Sequence, residues 1–456
     1  LADLLHRAKG RQPLIPDYQA VIIDEGHKFL DAARDMYGAS LSLAGLCRVA
    51  GDARGFTFAP GVATGDIARE CDRIQSKSRL LFRYLNNETP AGADDEAERY
   101  PTKIRDRAAK LIGALKEDAG ALAGMLSRRA VASKSEARRR DTLRALERIG
   151  DSLAAFSRHG DLVYWMEPGS PDDEFRFTAL RGIPKNLGEL LNRDLWGKSV
   201  PIILTSGTLS AAGSFEHIKK KTGLDLLPTK RLTETSKPSP FNHRKNSLLY
   251  ISENTPFPDN KDAGYIAAIA DETECLIRTS HGHAAVLFTS YKAMDMVWVR
   301  VMARELPYPV FRLDRGGATA IDRFRRSGNG VLFASGALWE GIDIPGDILS
   351  MLIIARLPFA VPDPVSEWER TLYRDMGEYK NAVIVPEMLM KLKQGHGRLL
   401  RVETDTGCVA ILDSRANTRG AYRDRVLAAL PDCRVTPDIG DIEKFMLEKK
   451  PPAYFA

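Results

Sequence analysis

Cysteine is scarce, at five in 456 residues, and the five do not fall into ligand pairs. Cys47, Cys71, Cys275, Cys408 and Cys433 are separated by 24, 204, 133 and 25 residues, with no CxxC among them. An odd, scattered set argues against both a disulfide framework and a cysteine-ligated metal centre, and it suits a reducing cytoplasm. Long apolar runs are lacking too. The most apolar stretch, residues 349–361, is interrupted by Arg356 and Pro358 and falls short of the roughly 20 residues that a bilayer-spanning helix needs, so no membrane segment or membrane partner is expected. There is no internal repeat of fixed period and no low-complexity tract. Residue 1 is Leu rather than Met, with no charged segment leading into an apolar one behind it, so no signal peptide is read and the start looks like a cut.

What is present is an ordinary globular composition, 44% hydrophobic and 28% charged, at a length that suits roughly three domains of about 150 residues. The 66 basic and 60 acidic residues leave a net charge of +6, which permits a polyanionic partner without requiring one. The charge is unevenly spread. Between positions 128 and 158, nine Lys/Arg face four acids, an excess of five that accounts for most of the whole.

Periodicity divides the chain. Ala20, Val21, Ile22 and Ile23 read as a buried strand ending in Asp24 and Glu25, and the carboxyl end of a strand is where open α/β sheets place their chemistry. From about 66 to 156 the period becomes helical, with Ile104, Ala108, Leu111 and Leu115, then Leu143, Leu146, Ile149, Leu153 and Phe156. An acidic patch from Glu88 to Glu98 reads as a solvated loop within that helical stretch. Strand-like runs return at 162–165, 175–180 and 201–205. They then alternate with helical stretches at 248–251, 285–289, 310–313, 331–334, 351–355 and 409–412, which argues for a parallel sheet covered by helices.

Four segments carry residue types suited to catalysis. Asp24-Glu25-Gly26-His27 places two acids after a strand; a strand-end Asp can hold Mg²⁺ through its water shell while an adjacent Glu activates an attacking water. Such a pair can equally be a turn with solvated acids. Thr205-Ser206-Gly207-Thr208-Leu209 ends another strand with hydroxyls that can carry hydrogen bonds or simply cap a helix. Trp339-Glu340-Gly341-Ile342-Asp343 follows the run at 331–334. Gln394-Gly395-His396-Gly397-Arg398-Leu399-Leu400-Arg401 sets two arginines three apart, so on a helix both leave one face, with Gln394 one turn earlier. Arginines so presented can clamp a transferring phosphoryl group, or can be surface ion pairs.

In order and chemistry these segments resemble the DinG/XPD-like branch of superfamily 2 DNA helicases. Asp24 to His27 is similar to the DEAH box, or motif II, with Gly for the usual Ala. Thr205 to Leu209 resembles motif III, again with Gly for Ala, small for small. Ala284 to Tyr291 resembles motif IV, Trp339 to Asp343 motif V, and Gln394 to Arg401 motif VI; Arg356-Leu357-Pro358-Phe359 is also family-like. The resemblance spans nearly the whole chain.

It implies an α/β fold of two RecA-like parallel-sheet lobes, the first incomplete, with an all-helical arch-like insertion between motifs II and III. The domains expected are 1–40 with 160–240 for the partial first lobe, 41–159 for the insertion, and 241–456 for the second lobe. The 181 positions from Asp24 to Thr205 leave room for that insertion. By the same resemblance Asp24 holds Mg²⁺ through water, Glu25 activates water, and His27, Thr205 and Ser206 couple hydrolysis to motion. Asp343 sits near the nucleotide ribose or the lobe interface, Gly341 and Gln394 are further nucleotide-binding residues, Arg398 and Arg401 reach the γ-phosphate, and Gln394 supports them. ATP and Mg²⁺ are the implied cofactors. Single-stranded or forked DNA is the implied partner, and translocation runs five-prime to three-prime.

No GxxxxGK[ST] occurs. Gly197-Lys198-Ser199 has Asn192 where the first glycine belongs, and it precedes a strand rather than following one. A phosphate loop cradles phosphates with glycine amides and a lysine, so this chain alone is expected not to hydrolyse ATP. The family carries that loop, and its iron–sulfur cysteines, before motif II; the expectation is therefore a truncated longer protein, with any such cluster upstream. Arg138, Arg139 and Arg140 could track a phosphate backbone or form a solvated helix face, and Lys219, Lys220 and Lys221 are a weaker candidate of the same kind. His243 and His281 read as surface loop residues. The other functional reading is a non-hydrolysing, single-stranded-DNA-binding scaffold that retains the fold.

Overall fold

The computed structural model describes residues 1–456 apart from 9, 11, 62, 91–96, 199, 212, 315–317, 337, 338, 340–343, 345 and 456. It resolves into two compact units: Leu1–Leu204 with Lys219–Arg231 and Pro362–Asp375, and Thr205–Ile218 with Leu232–Val361 and Met376–Ala456. Together they make an α/β fold with parallel sheets.

The first unit holds strands β1 (Val21–Ile23), β2 (Ala39–Ser42), β3 (Tyr100–Pro101), β4 (Leu162–Pro168), β5 (Phe177–Pro184) and β6 (Ile202–Leu204). β1 and β6 form a two-stranded parallel sheet in which Val21 faces Ile202, Ile22 faces Ile203 and Ile23 faces Leu204. Strand side chains alternate faces. Val21, Ile23, Ile202 and Leu204 therefore pack on Phe29, Leu191 and Trp196, while Ile22 and Ile203 stay 70% and 51% exposed on the other face.

The other strands form an antiparallel sheet in the order β2-β5-β4-β3. Alternation along β4 again divides its residues. Leu162 and Met166 face a core built with the helices Leu43–Arg54, Gly65–Glu88, Asp106–Arg128 and Glu136–Ser157. Val163 and Trp165 face Val365 and Trp368 of the helix Pro364–Arg370, which is why residues 362–375 group with this unit. That helix opens with a reciprocal cap, in which Asp363 accepts from the Ser366 amide and the Ser366 hydroxyl accepts from the Asp363 amide, both at 2.8 Å.

The second unit holds β7 (Ser247–Ile251), β8 (Ala284–Phe288), β9 (Val310–Leu313), β10 (Val331–Ser335), β11 (Met351–Ile354), β12 (Gly407–Ile411) and β13 (Arg434–Thr436). All seven run parallel, in the order β13-β7-β12-β11-β8-β10-β9. β7, β8, β10, β11 and β12 are buried throughout, as helices on both faces of a parallel sheet require. One face carries Leu249, Leu287, Leu332, Leu352 and Val409 under the helix Val385–His396. The opposite face carries Tyr250, Val286, Phe333, Ile353 and Ala410 under Ala263–Thr279, Tyr291–Met302 and Ile439–Lys449. Loops that emerge at the carboxyl ends of β8, β10 and β11 belong to the segments resembling motifs IV and V and to the Arg356-Leu357-Pro358-Phe359 run.

Candidate functional site

In the first unit, β1 ends at Ile23 and the chain turns at once. Glu25 takes a left-handed conformation, φ 49° and ψ 43°, unusual for a side-chain-bearing residue and costing about 1–2 kcal/mol. Its amide donates to Asp24 Oδ1 at 2.9 Å, and its carbonyl accepts from the Lys28 amide at 2.8 Å, starting a short 3₁₀ turn, Gly26–Lys28. The turn leaves both carboxylates exposed and brings His27 Nδ1 to 3.2 Å from Glu25 Oε2. Asp24, Glu25 and His27 are therefore one local cluster, an acid, a second acid in a strained backbone, and an imidazole oriented on it. Exposed carboxylate oxygens at a strand end suit a hard cation that keeps much of its water. Among the described residues no group of three or more His, Cys, Asp or Glu side chains is placed to hold a metal ion directly.

In the second unit, Thr205 is exposed just after β6 and Ser206 is half-buried. Ser206 Oγ accepts from the Thr208 amide at 3.2 Å and lies 3.4 Å from Thr208 Oγ1. Thr208 is buried, and its Oγ1 accepts from Gln394 Nε2 at 3.2 Å. The hydroxyl segment and the glutamine are 186 positions apart in sequence yet share one hydrogen bond. Sequence reading named Thr205 and Ser206 here; the residue that touches Gln394 is Thr208, and its place two residues further along the same hydroxyl-rich segment was the available signal.

The arginines correct a sequence expectation. The helix Val385–His396 stops before them, so Arg398 and Arg401 do not project from one helical face. Glycines at 395 and 397 flank its last residue and lower helix propensity. The Gly397 amide bonds Lys393 O at 2.9 Å and the Arg398 amide bonds Gly395 O at 3.0 Å, closing a turn. Asp405 Oδ2 then accepts the amides of Arg401 and Val402 at 2.7 and 2.9 Å, holding the following bend. Both arginine side chains are half-buried. Gly341 and Asp343 lie outside the described residues.

His243 is also corrected. It is buried, in the short helix His243–Asn246, with its ring 5.6 Å from that of fully buried His396. Burial, then the neighbouring His243, depress the His396 imidazole to about 3; burial alone lowers His243. His281 does lie in a turn, half-buried and edge-on to Phe455 at 5.0 Å.

Of the three arginines on the helix Glu136–Ser157, Arg138 pairs with Asp52 at 2.6 Å, and Arg139 donates to Leu126 O, Arg129 O and Glu136. Arg140 is exposed. Of the lysines at 219–221, Lys221 forms a nearly buried pair with Glu369 of the same unit.

The Helicase C-terminal domain family matches residues 274–433, which carry β8 to β12 and the motif VI segment. The ATP-dependent helicase DinG of Mycobacterium tuberculosis is 32% identical over 59% of this chain, and the chain spans 40% of that relative's length. The ATP-dependent DNA helicase YoaA of Escherichia coli is 27% identical over 98% of this chain and 68% of its own. Among solved structures, S. tokodaii Xpd4 aligns with a TM-score of 0.56 at 15% identity, over 94% of this chain and 79% of that one. An XPD helicase structure aligns at 0.52 and 18% identity, over 92% and 70%. These structural likenesses concern the fold, RecA-like lobes included. The family model, the DinG and YoaA relatives and the XPD fold likeness together support a DinG/XPD-like superfamily 2 helicase.

Proposed function

We propose that this chain is the motor portion of a DinG-like, ATP-dependent DNA helicase that acts in the cytoplasm and couples ATP hydrolysis to five-prime to three-prime movement on single-stranded or forked DNA. The observation that carries the reading is the match, over 98% of the chain, to a relative named an ATP-dependent DNA helicase. The intact Asp24-Glu25-Gly26-His27 cluster and the Gln394–Thr208 bond support it. Asp24 would hold Mg²⁺ through water, and the ion would supply charge neutralisation on the phosphates. Glu25 takes the proton of the attacking water, with its carboxylate oriented by His27 Nδ1. Arg398 and Arg401 stabilise charge developing on the transferred phosphoryl group, and Gln394 supports them. Thr205, Ser206 and Thr208 relay hydrolysis into motion, while Gly341 and Asp343 serve the ribose.

The domains we assign are the partial first lobe at 1–40 and 160–240, the arch-like insertion at 41–159, and the second lobe at 241–456. One observation favours the other reading, a non-hydrolysing single-stranded-DNA-binding scaffold: the 456 residues contain no GxxxxGK[ST]. The test joins to the amino end of this chain a segment that supplies a phosphate loop. The helicase reading expects ATP turnover stimulated by oligo(dT), removed by Glu25→Gln without loss of oligo(dT) binding. Binding with no turnover favours the scaffold.

A further inference from the structure

Trp339 meets three motif segments with one indole. It is wholly buried, and its Nε1–H donates to the carbonyl oxygen of Phe288, the last residue of β8, at 3.1 Å. Its six-membered ring lies against Gly395 of the helix Val385–His396. A Cβ placed on Gly395 would stand 2.8 Å from Trp339 Cζ3 and 2.9 Å from Cε3, closer than any real side chain tolerates. One turn back on the same helix, Lys391 Nζ sits 5.8 Å from the indole centroid. Gly395 thus serves as a slot rather than a backbone joint, because the approach excludes every residue with a Cβ. A helix resting on a sheet only through Met388, Leu389 and Leu392 could shift along it at small cost, since apolar contact is not directional. The indole removes that freedom by tying the slot to a fixed carbonyl at the end of β8, since buried donors keep their partners.

We infer that Trp339 is a positioning residue, and that its fit into the Gly395 slot sets the rotation and register of the motif VI helix, so that Gln394 reaches Thr208 and the turn bearing Arg398 is presented correctly. What that positioning serves rests on the proposed function; the positioning itself can be tested without nucleotide. The experiment compares Trp339→Phe, Gly395→Ala and the double variant of the full 456-residue chain by hydrogen exchange. Peptides covering 394–401 and 205–209 are read against peptides of β8 and β11.

Each single variant is expected to raise exchange in the two motif peptides about tenfold while β8 and β11 stay within twofold of the parent. In the double variant the smaller ring makes room for the new methyl, and exchange falls below that of either single variant. Equal rises across the whole second unit, or a double variant as fast as the two singles combined, would reduce Trp339 to core filling and overturn the inference. If Gly395→Ala does not fold, Trp339→Phe alone separates a local from a uniform rise. Absence of ATP turnover in the loop-supplied protein, beside a local and compensated exchange response, would sink the functional reading and leave the positioning intact.

Discussion

Gln394 Nε2 donates to Thr208 Oγ1 at 3.2 Å, joining the glutamine of motif VI to a hydroxyl of motif III within the second unit. The acceptor is buried, so the bond should matter beyond its place in the motifs. Thr208→Val is expected to cost about 1 kcal/mol, read as a lower urea midpoint with unchanged slope. Gln394→Leu should cost a similar amount, and the double variant should cost less than their sum. Strict additivity would mean the bond contributes nothing.

The left-handed backbone at Glu25 separates stability from activity. Glycine adopts φ 49° without a Cβ clash, so Glu25→Gly should leave the first unit as stable as before or raise it by about 1 kcal/mol in thermal unfolding. The same change should lower turnover of the loop-supplied protein at least about 100-fold, the smaller end of what a general base contributes. Lost stability would show that the carboxylate is held for structure.

No GxxxxGK[ST] is present, and so the 456-residue chain alone is expected to show no magnesium-dependent ATP turnover. A phosphate-release assay with and without oligo(dT) checks this. Sustained turnover would require another group to cradle the phosphates.

His396 gives stability a definite pH dependence. Its folded value, about 3, lies below the ordinary histidine value near 6.5, so the unfolded chain binds the proton more readily. Its contribution is therefore complete above pH 6.5 and is lost as pH falls below that, by about 1 kcal/mol between 7.5 and 5.5. His243 is shifted the same way. Half-buried Glu272, raised by desolvation, works in the opposite sense above its ordinary carboxyl value, so the comparison must be differential. Urea midpoints at pH 7.5 and 5.5 should differ less in His396→Leu than in the parent. An equal difference would clear His396 of the effect.

On the insertion, Arg138 and Arg139 already have protein partners, and a phosphate would have to displace them. Arg140→Glu is therefore expected to weaken oligo(dT) binding at low salt and to reduce the magnitude of the salt slope by about 0.7, one phosphate contact. Arg139→Glu should instead lower the stability of the helical layer. Unchanged affinity in Arg140→Glu, measured by anisotropy, would take this helix out of the DNA path.

Much of this was legible without coordinates. Short apolar runs located β4 to β12, and the 3.6-residue period located the helices Asp106–Arg128 and Glu136–Ser157, because a surface that must be buried writes itself into local composition and spacing. Motif order pointed to the acids at 24 and 25 and to the residues from 394 to 401 as candidates, and the structure brings one of these, Gln394, to Thr208. β2, β3 and β13 escaped, since two- to four-residue strands containing Ser, Pro or Arg carry too few apolar alternations to register.

What spacing could not decide was anything set by a distant neighbour. Whether Arg398 and Arg401 continue a helix depends on the turn closed at Gly397 and on Asp405. Which hydroxyl of motif III meets Gln394 depends on backbone paths 186 positions apart, and the need for glycine at 395 appears only when the Trp339 ring lies against it. Local chemistry is determined by the chain in order along its length. Partnership is decided by packing, where a hydrogen bond or a ring's thickness selects one residue from several that look equivalent in sequence.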